Sequence, residues 1–94
     1  MPDFKPTDRP CSRNHLLFKE LDDGGVVYDP TTETIHSLNP SAAFIWILCD
    51  GNHSIREIID SVRKHFQEFS ANPETEIDQT LHQFFILDLI TISS

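Results

Sequence analysis

The stretch Val26-Val27-Tyr28-Asp29-Pro30-Thr31-Thr32-Glu33-Thr34-Ile35-His36-Ser37-Leu38-Asn39-Pro40-Ser41-Ala42-Ala43-Phe44-Ile45-Trp46-Ile47-Leu48-Cys49-Asp50-Gly51 decides the fold. Val26-Val27-Tyr28 is β-branched and aromatic, the composition of a strand on a half-buried pleated surface. Asp29-Pro30-Thr31-Thr32 is a turn, and Thr34–Leu38 a second short strand. The pattern then changes period. Asn39 is a good N-cap, and Pro40 suits the first helical position, where its missing N–H costs nothing. A helix over Pro40–Asp50 follows, ended by Gly51. It is apolar on every side, so it is either buried all round or partly covered by something this chain does not supply.

Upstream, Leu16–Lys19 reads as one more strand, joined to Val26–Tyr28 through the turn Asp22-Asp23-Gly24-Gly25. Three strands with short turns make an antiparallel meander. Residues 1–13 hold three of the six prolines among charges and read as a loose tail, with one domain over 14–92. Downstream, Ser54-Ile55-Arg56-Glu57 is a capping box. Behind it Ile55, Ile58, Ile59, Val62 and Phe66 fall on one helical stripe, and Arg56, Glu57, Asp60, Arg63, Lys64 and Gln67 on the other side. Asn72-Pro73 repeats the cap-then-proline signal before a third helix over Glu74–Leu87, with Ile77, Leu81, Phe84 and Phe85 as its apolar stripe. Asp88 ends that helix in a left-handed turn, and Leu89-Ile90-Thr91-Ile92 closes the domain. The class is α+β: a three-stranded antiparallel sheet followed by three helices.

Ninety-four residues, 38% of them apolar, give one core. The net charge of −8, from 7 basic and 15 acidic residues, repels phosphates and favours a cationic or neutral partner. No basic cluster exists, so nucleic acid is not expected as a partner. No stretch reaches the ~18 apolar residues of a membrane span, and Met1–Pro6 carries no apolar signal segment; a cytoplasmic place of work follows. Cys11 and Cys49 do not make a disulfide framework, and Cys49, in an apolar run, reads as a buried free thiol.

Neither catalysis nor metal binding has a good candidate. His15, His36, His53, His65 and His82 do not pair at ligand spacing. The carboxylates fall in turns and at helix starts, where they complement the helix dipole. Cys49 is too apolar in its surroundings to be a nucleophile. No glycine-rich loop or Gly-x-Ser-x-Gly elbow occurs. The expectation is therefore no catalytic residue, no metal and no cofactor. What is left is a surface: an edge strand of the meander offers unpaired backbone groups to an extended peptide.

The run Val27–Gly51 resembles the PqqD family, whose pattern is strand, turn, strand ending in Leu-Asn, then a helix with small residues and an Ile-Trp-like pair closed by Asp-Gly. Ser54–Ile59 is similar to the family's next helix. Leu87-Asp88-Leu89-Ile90 resembles its C-terminal Leu-Gly-Leu-Ile, with Asp88 in place of Gly, a residue that tolerates the left-handed conformation. The resemblance covers residues 16–90 and leaves the first 13 unexplained. It implies a winged-helix-like fold and the role of a RiPP recognition element, a domain that binds the leader of a ribosomally made precursor peptide and presents it to a modifying enzyme. In such domains the leader pairs with the third strand and lies against the third helix. Carried over, the strand is Thr34, Ile35, His36, Ser37 and Leu38, and the helix offers Asp78, Leu81, His82 and Phe85, with Asp78 placed to meet a basic leader residue. The implied enzyme partner is of the radical S-adenosylmethionine type, as in pyrroloquinoline quinone biosynthesis, or another peptide-modifying enzyme.

Two other readings stand beside peptide capture. A docking subunit would stabilise the enzyme without a groove of its own. A winged-helix DNA-binding protein shares the element order, but its recognition helix would begin Glu74-Thr75-Glu76-Ile77-Asp78, which phosphates repel. The exposed strand edge can also pair with a second copy, giving a homodimer.

Overall fold

The computed structural model describes residues 4–65 and 73–93. Among the described residues five strands and three helices follow one another as β1 Arg9–Ser12, β2 Leu17–Leu21, β3 Gly24–Asp29, β4 Thr34–Leu38, α1 Pro40–Leu48, α2 Ile55–His65, α3 Pro73–Ile86 and β5 Ile90–Ser93. The meander is present as an antiparallel sheet in the order β2-β3-β4. Its register pairs Phe18 with Val27 and Val27 with His36, so all three side chains share one face. Val27 is fully buried, which makes that face the inner one.

Gly24 opens β3 with φ of 138°. A Cβ there would lie 2.0 Å from the Leu38 carbonyl oxygen. The hairpin and the end of β4 can therefore approach this closely only because residue 24 has no side chain.

α1 and α2 start as their sequences require, while Asn72, the cap expected for α3, lies outside the described residues. The Asn39 side chain accepts the Ala42 N–H at 2.8 Å, with Pro40 in the first turn of α1. Ser54 and Glu57 exchange bonds reciprocally: the Glu57 N–H reaches Ser54 Oγ at 3.2 Å, and the Ser54 N–H reaches Glu57 Oε1 at 2.8 Å. α3 ends with Asp88 at φ of 62° and the Leu89 N–H on the Phe84 carbonyl at 2.9 Å. That is the left-handed helix stop expected of Asp88.

The core lies between the sheet and the helices. One buried cluster joins Val27 of the sheet with Ile45 and Trp46 of α1, Ile58 and Val62 of α2, Ile77, Leu81 and Phe84 of α3, and Leu89 and Ile90 beyond it. Phe66 and Gln67, placed by spacing on the two sides of α2, lie outside the described residues. Phe85, counted in the α3 core stripe by spacing, is instead partly exposed.

The structure differs from the sequence reading over the start of the chain. Arg9–Ser12, inside the segment read as a loose tail, is a strand paired antiparallel with β5, Pro10 opposite Ile92. Pro10 is fully buried, and so is Asp8 nearly. The Gly51 N–H donates to the Pro10 carbonyl at 3.0 Å and the Ser12 N–H to the Cys49 carbonyl at 2.8 Å. Ile55 and Arg56 donate N–H groups to the Asp8 and Pro6 carbonyls, at 2.9 and 3.1 Å. The N-terminal segment thus satisfies first-turn donors of α2 that would otherwise be orphaned. Four residues carrying a proline show no alternation, and their partners lie about 40 to 80 residues away in the chain, so local pattern conceals the strand.

Candidate functional site

Sheet order makes β2 and β4 the two edges. Each edge strand turns half of its backbone N–H and C=O groups away from the sheet. The two are not equivalent. β2 carries Lys19 and Glu20, charges of the kind that blunt an edge. β4, Thr34-Ile35-His36-Ser37-Leu38, carries no fixed charge.

The β4 side opens onto α3. A groove of about 270 Å³ lies between the end of β4, the first turn of α1 and the middle of α3. Ser37, Leu38 and Asn39 form its strand wall, with Ala42 behind them. Gln79, Thr80 and Gln83 form its helix wall. Phe84 is the floor, fully buried and held edge-on against the Trp46 ring at 5.3 Å between centroids. None of these lining side chains is charged. The groove joins a strand edge to a small apolar floor flanked by amide and hydroxyl groups, which suits one buried side chain of an extended peptide.

The residues expected from sequence fall into three places. On β4, Leu38 and His36 share the inner face with Val27, while Ile35 and Ser37 take the outer face beside Tyr28 and Val26. Ile35 is 67% exposed there. On α3, Leu81 is part of the core, between Ile77 and Phe84. Asp78, His82 and Phe85 are brought together, but not beside β4. The His82 ring stacks 4.3 Å from Phe4, and Phe85 meets Phe4 edge-on at 5.8 Å. Asp78 approaches the same imidazole, 3.3 Å from Nδ1. At 100° per residue, Asp78, His82 and Phe85 flank the core stripe on one side and Thr80 and Gln83 flank it on the other. Spacing alone takes Asp78, Leu81, His82 and Phe85 as one strip toward the peptide; in the fold Leu81 is buried and the other three gather around His82 and Phe4. Gln79, Thr80 and Gln83, uncharged polar positions in the middle of α3, escape the spacing argument.

Elsewhere the titratable groups serve local structure. The Thr31 hydroxyl, then its N–H, holds the Asp29 carboxyl below its usual range as part of the turn into β4. For Asp50, desolvation pulls upward, but the His53 hydrogen bond, the Asn52 N–H and the His53 charge outweigh it and leave the carboxyl lowered. Burial pushes the Cys49 thiol far up, as expected of an inert core cysteine.

The sequence model of Coenzyme PQQ synthesis protein D (PqqD) matches residues 24–90. The chain belongs to the PqqD family. The PqqD match takes in every wall of the groove, from β4 through α1 to α3, and leaves out β1 and β2. A solved structure of TbiB1 in complex with the TbiA(beta) leader peptide has the same fold. Its TM-score is 0.70 at 20% identity, over 85% of this chain and 93% of that one. No curated protein matches the chain.

Proposed function

We propose that this PqqD-family chain is a RiPP recognition element: it binds the leader of a precursor peptide as a fourth strand on β4 and presents it to a modifying enzyme. The observation that carries this reading is the uncharged edge β4 lying open beside the groove to α3. The leader backbone would take up the outward-turned half of the backbone groups of the strand Thr34, Ile35, His36, Ser37 and Leu38. One leader side chain would enter over Phe84, between Ala42 and the amides of Gln79 and Gln83. The TbiB1 structure, a chain of this fold holding a leader peptide, supports the same use of the fold.

The chain acts by binding, in this reading, and the chemistry belongs to the receiving enzyme. The family's description as a coenzyme PQQ synthesis protein favours a radical S-adenosylmethionine enzyme in that place. Two free thiols suit a reducing compartment such as the cytoplasm; among the described residues no helix is long and apolar enough to cross a membrane. Phosphate binding by α3 is disfavoured by Glu74 and Glu76 in its first turn. A homodimer built by pairing β4 with β4 would consume the same backbone groups, so it and leader capture exclude one another.

The test is a titration with the leader of the precursor peptide encoded beside this chain, alone and with single prolines walked along it. Strand addition needs the leader's N–H groups, so prolines at alternate positions should abolish binding. Binding indifferent to every proline would reject strand addition.

A further inference from the structure

The sequence leaves one oddity unused: α1 is apolar on all sides. Ala43, Ile45 and Trp46 are buried, yet Ile47 remains 51% exposed. Beside it Leu21, at the end of β2, is 43% exposed. Between them the small residues Gly24, Pro40 and Ala43 leave a notch of about 210 Å³, walled by Phe44. On α1 this is the stripe 40, 43, 44, 47, one continuous helix face. It lies on the hairpin side of the helix, whereas Ala42 faces the groove.

The lip of the notch is acidic. Glu20 and Asp22 line it, and Asp23 shares the same turn. Among the described residues none of the three is held in an ion pair. Exposed apolar side chains ringed by unpaired carboxylates fit an occupant with an apolar anchor between basic residues. A second copy of this chain fits badly. A twofold interface would set the same carboxylates against each other, between two molecules of charge −8.

We propose that this notch, formed by the β2–β3 hairpin and the outer face of α1, docks the receiving enzyme through a segment with one apolar side chain flanked by Lys or Arg. The proposal rests on the peptide-presenting reading and adds a second surface to it. Leader and enzyme then occupy opposite sides of α1 and bind together.

The test measures two affinities on the full chain. One is for the purified modifying enzyme encoded beside it, the other for the leader peptide. Both are read in wild type, in the double variant Glu20→Lys/Asp22→Lys and in Ile47→Ser, with thermal unfolding confirming that each variant is folded. These positions are exposed, so folding should survive. The expected result is enzyme affinity reduced about tenfold or more by either variant, with leader affinity within about twofold of wild type. Enzyme affinity unchanged in both variants would overturn the notch. So would concentration-dependent dimerisation of the wild type that Ile47→Ser abolishes, since a second copy would then be the occupant. The two readings fail separately. A chain that holds the enzyme at the notch but takes no leader keeps the docking surface and rejects leader capture. A chain that takes leader while the enzyme ignores the notch does the reverse.

Discussion

α1 separates two hollows of similar size and opposite character. On its β4 and α3 side the walls are Ser37, Leu38, Asn39, Gln79, Thr80 and Gln83, without a charge. On its hairpin side Leu21 and Ile47 are bordered by Glu20 and Asp22. The first hollow adjoins an open strand edge, so backbone hydrogen bonds can supply affinity and the floor can supply selectivity. The second adjoins only the charged end of the β2 edge and depends on an apolar anchor and on long-range attraction, which sets association rate more than final affinity. The groove walls themselves are uncharged, while Glu20 and Asp22 put negative charge at the lip of the notch.

The contrast can be broken at Gly24, which serves both sides by letting the hairpin pass under the Leu38 carbonyl. Gly24→Ala, with a positive φ and a backbone clash, should cost about 2–4 kcal/mol and lower Tm by about 10 °C or more, measured by thermal unfolding. Gln83→Trp should separate the hollows. An exposed residue becomes a ring that fills the groove, weakening leader binding by about thirtyfold or about 2 kcal/mol in calorimetry, with enzyme docking unchanged. Ionic strength sharpens the comparison. Between 0.05 and 0.5 M salt, leader affinity should move by less than about twofold and enzyme affinity should fall by about tenfold, because only the second depends on screened charge.

Two smaller effects should leave both hollows alone. Ser54→Ala removes one half of the capping box on α2 and should lower unfolding stability by about 1 kcal/mol. The Asp50 carboxyl is lowered in the fold. Its contribution to stability is therefore complete above the ordinary carboxylate value and is lost as pH falls through the lowered one. In denaturant midpoints measured against pH, His53→Ala should shrink that acid-side loss.

Much of this was legible in the chain. Asn39-Pro40, Ser54-x-x-Glu57 and Asp88 each announce a helix boundary through a local bond, and each boundary falls within two residues of its expected place at the helix starts and at the end of α3. The end of α1 is less sharp: the helix stops at Leu48, with Gly51 at φ of 80° turning the chain only afterwards. Strand β4 was legible in full, because alternation and flanking turns are also local. Strand β1 was not, since Arg-Pro-Cys-Ser becomes a strand only when β5 is beside it. The helix wall of the groove was not legible. Spacing puts Asp78, Leu81, His82 and Phe85 on one strip, whereas Gln79, Thr80 and Gln83 line the groove and His82 and Phe85 meet Phe4, a contact that spans most of the chain.

The most direct test of leader capture is an NMR titration of the ¹⁵N-labelled chain with its leader peptide. The account predicts changes at the Ser37, Leu38 and Asn39 amides and at the side-chain amides of Gln79 and Gln83. Changes at His82 and Phe85 with Ser37 and Gln83 silent, or along the Lys19–Glu20 edge of β2, would contradict it.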